Sequence, residues 1–95
     1  MHIIHWGKAR QFYRKYPAAE GPLKQWRKIT REAEWKNFHD IRNAFPTADW
    51  VEGNIIFNIK GNSYRLIAII AFENGKLYIR QVLPHEEYDK NKWKS

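Results

Sequence analysis

The sequence contains no cysteine among its 95 residues. This absence excludes a disulfide scaffold, a zinc site with thiolate ligands and a cysteine nucleophile. No apolar run approaches the roughly 20 residues that span a bilayer, and the first residues lack the apolar stretch of a signal peptide. His2 and His5 are too few and too poorly spaced for a zinc site. We therefore expect a cytoplasmic protein with no metal, no other cofactor and no membrane partner.

Acidic residues are scarce relative to basic ones. There are 10 Asp and Glu against 17 Lys and Arg, which gives a formal net charge of +7. Hydrophobic residues make up 43% and aromatic residues 16%, which is typical of a folded protein. The length predicts one domain over residues 1–95. The positive charge predicts an acidic partner, with nucleic acid the commonest, ahead of an acidic protein or a membrane surface.

The first half of the chain has helical periodicity. A short strand is predicted over residues 1–6 and ends at Gly7, and three helices are predicted after it, over residues 8–16, 22–35 and 37–45. Proline at positions 17 and 46 ends the first and third helices, because the residue before a proline disfavours the α conformation. Asn37 and Asp40 resemble a capping box.

The second half of the chain alternates with a period of two. Strands are predicted over residues 50–51, 55–60, 63–72 and 76–83. The connections are short, so neighbouring strands must be antiparallel. The segment after residue 84 has no clear period and ends in a basic run over 90–94. The predicted fold class is α+β, with helices on one face of a small, mainly antiparallel sheet.

Two turns predict the register of the strands. If Gly61-Asn62 and Asn74-Gly75 are two-residue loops, they pair Asn58 with Arg65, Lys60 with Ser63, Arg80 with Ile69, Tyr78 with Ala71 and Arg65 with Pro84. Paired residues share a face. One face is therefore predicted to be concave and cationic, carrying Asn58, Lys60, Arg65, Tyr78 and Arg80, with Ile67, Ile69 and Val82 as its lining. The other face is the predicted helix-covered core, with Ile55, Phe57, Ile59, Leu66, Ala68, Ile70, Phe72, Leu77 and Ile79.

The predicted cationic face suits phosphate chemistry. Arg65 and Arg80 keep their protons and can stabilise negative charge, and Lys60 adds a compact charge. His85 follows the last strand and is the default proton carrier. Tyr88 could stack on a base or, if nearby cations lower its pKa, act as a general base. Together these groups suit attack of an RNA 2′-hydroxyl on its own phosphate without a metal.

Simpler interpretations remain beside this one. Arg65 could be a surface ion-pair partner, Lys60 a solvated cation and His85 a structural residue. Candidate RNA contacts are Asn58, Lys76, Lys24, Arg27, Lys28 and Arg31. The last four form a basic stripe that is a solvated helix face by default and a contact to the phosphate backbone if the partner is RNA. A non-catalytic module that blocks ribosomal RNA or an acidic protein is the alternative function. DNA binding is a weaker possibility, because no recognition-helix motif is apparent.

Three segments resemble the HigB-type toxins of bacterial type II toxin–antitoxin modules. The first is Ala-Glu-Trp-Lys-Asn-Phe-His-Asp-Ile-Arg at 33–42 with Phe-Pro-Thr-Ala-Asp at 45–49. The second is Phe-Asn-Ile-Lys-Gly-Asn-Ser-Tyr-Arg-Leu at 57–66, and the third is His-Glu-Glu-Tyr-Asp at 85–89. The likeness extends over nearly the whole chain.

The resemblance implies a RelE-like fold, with two to three N-terminal helices on one sheet face and a short C-terminal helix or tail. It also implies an endoribonuclease that cuts mRNA, typically on the translating ribosome, and a HigA-type helix-turn-helix antitoxin that supplies any DNA binding. By motif position Arg65 matches the family arginine best, and the other matches are Arg80, His85, Tyr88 and Lys60. Asn58 stands two residues before Lys60, where RelE-type toxins commonly have a lysine pair.

Overall fold

The computed structural model describes residues 1–90 and Trp93, and it places the helices mainly before the strands. The elements in chain order are β1 (His2–Ile4), α1 (Trp6–Lys15), α2 (Glu20–Glu32), α3 (Phe38–Ala44), β2 (Asp49–Val51), β3 (Asn54–Ile59), β4 (Tyr64–Ala71), β5 (Lys76–Pro84) and α4 (His85–Asp89). Short 3-10 turns occupy Pro17–Ala19 and Phe72–Asn74. Residues 91, 92, 94 and 95 lie outside the described residues, and the first three of them belong to the basic run predicted over 90–94.

The three predicted N-terminal helices are present, with shifted ends. The strand predicted over residues 1–6 is too long, because His5 adopts a left-handed conformation (φ 71°) and Trp6 begins α1. Gly7 therefore lies inside the helix. The second helix begins at Glu20, before the proline at position 22, and ends at Glu32 rather than near residue 35. Proline is tolerated there because the first turn of a helix has no internal partners for its N–H groups.

The predicted capping of α3 is confirmed with one difference. The Asn37 side chain accepts a hydrogen bond from the backbone N–H of Asp40 at 2.9 Å. The Asp40 carboxylate accepts in return from the N–H of Lys36, also at 2.9 Å, one residue earlier than in a standard capping box. Both bonds fix the point at which the chain enters α3.

The five strands form one sheet in the order β1-β5-β4-β3-β2. β1 runs parallel to β5, and the other neighbours are antiparallel. The α+β architecture and the mainly antiparallel sheet are therefore confirmed. No helix among residues 1–90 is long and apolar enough to cross a membrane.

The helices cover one face of the sheet and form the main core. Phe57 of β3 is fully buried there, and its ring lies 5.4 Å from Trp26 of α2 and 5.3 Å from Phe45. All the residues predicted for this face belong to the core or pack against its edge. α2 is therefore anchored to the sheet by its apolar side and presents its polar side outward.

A second, smaller core occupies the opposite face. Ile56, Ile67 and Trp93 are buried together, and Val51, Leu83 and Tyr88 pack against them. The prediction that this face is concave and cationic is therefore wrong for its centre. Trp93, which follows α4 in the chain, covers the apolar middle of the face, so polar groups are left only around it.

The predicted register is right for β3 and β4. Asn58 faces Arg65, as predicted. The loop is longer than two residues, because β3 ends at Ile59 and the turn includes Lys60 and Ser63, with the N–H of Ser63 donating to the Lys60 carbonyl at 3.1 Å. Lys60 therefore lies in the turn, not on the strand.

The predicted register is wrong for β4 and β5. The 3-10 turn before Gly75 lengthens this loop, so Tyr78 faces Ile69 instead of Ala71. A bulge then leaves Arg80 without a partner on β4. Beyond the bulge Arg65 faces Leu83 instead of Pro84. The same shift moves Val82 from the predicted cationic face into the helix-side core.

Candidate functional site

Arg65 is the centre of a polar cluster at one end of the second sheet face. The residue belongs to β4 and is only 8% exposed. Nη1 donates to the carbonyl oxygens of Asn62 and Tyr64, both at 3.2 Å. Nη2 lies 3.2 Å from Nδ1 of His85, and the guanidinium carbon lies 5.5 Å from the centre of the Tyr88 ring. The structure therefore brings Arg65, His85 and Tyr88 together.

His85 is held from three directions. It is the first residue of α4, and its backbone N–H donates to the Ser63 carbonyl at 3.0 Å. Nδ1 faces Arg65, while Nε2 lies 3.1 Å from the Asp89 carboxylate. An arginine can only donate, so a neutral ring with its proton on Nε2 satisfies both contacts. The end of β5, the β3–β4 turn and α4 all contribute to this position.

Asp89 is the member of this cluster that the sequence predictions missed. It is the last residue of α4, four positions after His85. Side chains at this spacing lie on the same side of a helix. The His-x-x-x-Asp spacing could have predicted this contact, but only if residues 85–89 were already known to be helical.

The pKa of Tyr88 is raised, mainly by burial and then by the negative charge of Asp49, while Arg65 lowers it and Asp89 raises it. The condition for Tyr88 to act as a general base, a pKa lowered by nearby cations, is not met, because burial and the Asp49 carboxylate outweigh the Arg65 charge. The ring also stacks on Trp93, with 5.1 Å between centroids. Tyr88 therefore keeps its proton and is unsuited to be a general base.

Arg80 lies on the same face but not beside Arg65. Its Nη1 donates to the side-chain oxygen of Asn54 at 2.8 Å, and Asn54 is itself buried. Asn54 lies four residues from Asn58 along β3, about 13 Å at the usual rise of a strand. The apolar cluster of Ile56, Ile67 and Trp93 lies between the two positions. The structure therefore separates the two predicted phosphate-binding arginines.

Lys60 and Asn58 flank the Arg65 cluster. Lys60 is exposed in the turn (φ 52°), two residues from the Asn62 carbonyl that Arg65 contacts. Asn58 is half-buried opposite Arg65 and, with Thr47, Gly61 and Asn62, lines a cavity of about 250 Å³. This cavity lies beside Arg65 and could receive part of a ligand.

The other predicted RNA contacts are distant from Arg65. Lys76 begins β5, and the nine residues of this strand place it at the opposite end of the sheet from His85. The four basic residues of α2 lie on the outer side of the helical layer, on the far side of the sheet, where they and Glu32 line a groove of about 490 Å³: Lys24, Arg27, Lys28 and Arg31.

Two of the α2 cations have partners within the protein. Lys24 donates to Glu20 at 2.6 Å, and this contact raises the pKa of Lys24. The Arg27 guanidinium lies 4.7 Å from the Trp6 ring. Neither Lys28 nor Arg31 has a side-chain partner within the described residues. The latter two are therefore the cations of this stripe most available to a ligand.

The net charge is concentrated on the helical layer. Residues 6–32, which include α1 and α2, contain eight of the 17 basic and two of the 10 acidic residues, so they carry six of the seven net charges. The remaining basic and acidic residues nearly cancel. The excess positive charge therefore lies on the face opposite Arg65 and not around it. Among residues 1–90 and Trp93, no three His, Asp or Glu side chains form a possible metal site.

This combination defines a small α+β protein with helices on one sheet face and an arginine–histidine cluster on the other. The chain belongs to the HigB toxin family. The family, described as the RelE-like toxic component of a toxin-antitoxin system, matches residues 19–91. The resemblance identified from the sequence is thereby confirmed, and the cognate partner of such a toxin is an antitoxin.

Similar proteins cover almost the whole chain. The "mRNA interferase toxin HigB" of Escherichia coli (strain K12) is 30% identical over 94% of this chain and 88% of that protein. The "mRNA interferase HigB" of Shigella flexneri matches with the same identity and the same coverage. A third relative, the "mRNA interferase HigB" of Escherichia coli O6:H1 (strain CFT073), is 30% identical over 95% of this chain and 90% of its own length.

Proposed function

We propose that this toxin inhibits translation as an endoribonuclease that cleaves mRNA. Family membership and the names of the relatives support this activity. The observation that carries it is the 3.2 Å contact between Arg65 and His85, because it joins a permanent cation to a proton acceptor at one point. These are the two groups that a metal-independent phosphate transfer needs.

In the proposed reaction the RNA supplies its own nucleophile. His85 accepts the proton of a 2′-hydroxyl, and the oxygen attacks the adjacent phosphorus. The bond from phosphorus to the 5′-oxygen breaks, leaving a 2′,3′-cyclic phosphate and a 5′-hydroxyl. Arg65 stabilises the negative charge on the phosphate through Nη2 and Nε. In this proposal Tyr88 gives its phenolic proton to the departing 5′-oxygen, and the resulting tyrosinate lies beside the Arg65 guanidinium.

The remaining predicted site residues take supporting roles in this proposal. The Arg80 guanidinium is bonded to Asn54, which lies about 13 Å along β3 from Asn58, so it contacts a flanking phosphate and not the scissile one. Lys60 assists from the exposed turn, and Asn58 contacts the RNA in the cavity beside it. Lys76 would contact RNA further along the same face.

The proposed partners occupy both faces of the molecule. We assign mRNA to the Arg65 face and ribosomal RNA to the basic side of α2, because the two surfaces lie on opposite sides of the sheet. This arrangement fits cleavage on the translating ribosome in the cytoplasm. The proposed antitoxin is of the HigA type and has a helix-turn-helix domain. In the complex only this domain contacts DNA.

Cleavage of RNA by the purified toxin tests this proposal. RNA bound to ribosomes and free RNA are incubated with the protein, and new ends are mapped by primer extension and examined for 2′,3′-cyclic phosphate. Arg65→Lys retains the charge but loses the fork that reaches several oxygens. We expect it to slow single-turnover cleavage by 10²- to 10³-fold, the range found for loss of one oxyanion donor.

Arg42→Lys is the matched control, because within the described residues the only hydrogen bond of this exposed α3 arginine side chain is to the Pro46 carbonyl. It should cleave like the wild type. Equal rates for the two variants would remove Arg65 from the mechanism. Absence of new RNA ends in both assays would overturn the nuclease assignment.

One observation favours the alternative of a non-catalytic module that blocks translation sterically. Arg65 is largely buried, and its Nη1 is already bonded to two carbonyl oxygens. Brief induction in cells followed by primer extension separates the alternatives. A blocker stops protein synthesis and leaves mRNA intact, whereas the nuclease produces discrete new ends.

A further inference from the structure

The His85 ring has a polar partner at each nitrogen. The carboxylate of Asp89 lies 3.1 Å from Nε2, and Arg65 Nη2 lies 3.2 Å from Nδ1. The backbone of His85 is also held in place, because its N–H donates to the Ser63 carbonyl. The two ring contacts favour one orientation of the imidazole, and the backbone bond fixes the point at which α4 begins.

We propose that Asp89 is a positioning residue that makes Nδ1 of His85 the catalytic nitrogen. The inference rests on the proposed function and assigns a role to each nitrogen of the ring. The Asp89 carboxylate accepts a hydrogen bond from Nε2–H and so keeps the proton of the neutral ring on Nε2. The lone pair of Nδ1 is then directed at the position where Arg65 binds the phosphate.

The 3.2 Å contact between Arg65 and Nδ1 indicates how the reacting group enters. A 2′-hydroxyl placed between them donates to Nδ1, while Nη2 of Arg65 turns to a phosphate oxygen. The proton moves from the 2′-oxygen to Nδ1, and the ring becomes an imidazolium. Asp89 stays ionised and lies against the resulting positive charge through Nε2–H, as the carboxylate does in a Ser-His-Asp triad.

An ordinary surface ion pair is the competing explanation, since the side chains of His85 and Asp89 are 45% and 57% exposed. Exposed pairs of this spacing contribute little to stability. Stability therefore does not distinguish the two explanations. The tautomer of the ring and the rate of the chemical step do, because a solvated pair would alter neither.

The first measurement is independent of activity. Two-bond ¹H–¹⁵N spectra of the full-length protein distinguish a protonated from an unprotonated ring nitrogen, and His85→Gln assigns the signal. In the wild type we expect the neutral ring of His85 to carry its proton on Nε2. Asp89→Ala should produce a mixture of tautomers, whereas Glu86→Gln should not change the spectrum of His85.

The second measurement is single-turnover cleavage of RNA with the protein in excess. Asp89→Ala should lower the rate by about 10- to 100-fold, by analogy with the loss of the partner that orients a metal-binding histidine. RNA affinity should stay within twofold, because Asp89 contacts no substrate. Asp89→Glu keeps a carboxylate and should recover part of the rate.

Glu86→Gln removes one negative charge from the same helix, at a side chain with no contact in the described residues, so it controls for charge alone. If the wild type cleaves RNA and Asp89→Ala matches Glu86→Gln, the positioning role is refuted and the nuclease assignment stands. If the wild type does not cleave RNA, the proposed function fails. The spectra then still decide the tautomer: a proton on Nδ1, or no change in Asp89→Ala, overturns the inference.

Discussion

Arg65 has structural contacts and also lies at the centre of the proposed site. Its Nη1 bonds two carbonyl oxygens of the β3–β4 turn, while Nη2 contacts His85. Truncation to alanine would remove both of these part-buried hydrogen bonds from the turn, at a cost of about 0.5–1.5 kcal/mol each. A loss of activity in Arg65→Ala would therefore mix destabilisation with chemistry. This is the physical reason for preferring Arg65→Lys as the test of the site.

Tyr88 makes stability depend on pH in the alkaline range. Its pKa is raised in the folded protein, so the contribution to stability is complete below the unfolded value near 10 and is lost as the pH rises through the folded pKa. The free energy of unfolding should therefore fall more steeply above pH 10 in the wild type than in Tyr88→Phe. Urea unfolding of both proteins from pH 8 to 11 measures the difference. A difference that stays constant over this range would contradict the burial of the hydroxyl.

At the scale of elements, the sequence predicts the helices and the β3–β4 hairpin but not the β4–β5 pairing. Gly61 adopts φ 61° within a turn that maintains the expected register. In β5, however, the apolar spacing changes from two to three between Ile79 and Val82, with two polar residues between them. This interruption is the sequence signature of the bulge at Arg80, and regular alternation cannot accommodate it.

The site could be predicted only in part for the same reason. The proximity of His85 to Arg65 could be predicted, because at this end of the strands the observed pairing differs from the predicted one by only one residue. Arg65 faces Leu83 instead of Pro84, and His85 follows directly. Arg80 lies apart because its bulged backbone directs the guanidinium to Asn54. Trp93 carries no periodic signal, so its burial against Ile56 and Ile67 became evident only from the tertiary structure.

Alanine substitutions at two glycines should change the free energy of unfolding in opposite directions. Gly75 has φ 65° in the β4–β5 loop, whereas Gly7 lies within α1, and a Cβ at either position would meet no atom within 4 Å. Gly75→Ala should lower the free energy of unfolding by about 1–2 kcal/mol, since only backbone strain acts there. Gly7→Ala should raise it by about 0.5 kcal/mol through better helix propensity. Denaturant unfolding measures the change in free energy for each variant. An increase for Gly75→Ala as well would contradict the left-handed conformation of Gly75.

At the scale of the whole molecule, the excess positive charge and the Arg65 cluster lie on opposite faces. The helical layer carries six of the seven net charges, while the Arg65 cluster lies in a nearly neutral half. Affinity for phosphates grows with the number of cations in contact and falls with salt. The helical layer is therefore suited to sequence-independent docking on RNA, and the Arg65 cluster to acting on a strand presented from the other side.

Neutralising the outer side of α2 should separate docking from cleavage. Lys28→Gln combined with Arg31→Gln removes two exposed charges whose side chains have no partner in the described residues. We expect weaker binding to ribosomes at low salt and a salt-dependence slope smaller by about two. Cleavage of a short RNA at saturating protein should be unchanged, because Arg65 and His85 lie on the other face.

Lys36→Gln with Arg42→Gln removes the same charge outside α2 and serves as the control. If both double variants weaken ribosome binding equally, net charge explains the affinity and α2 is not a docking surface.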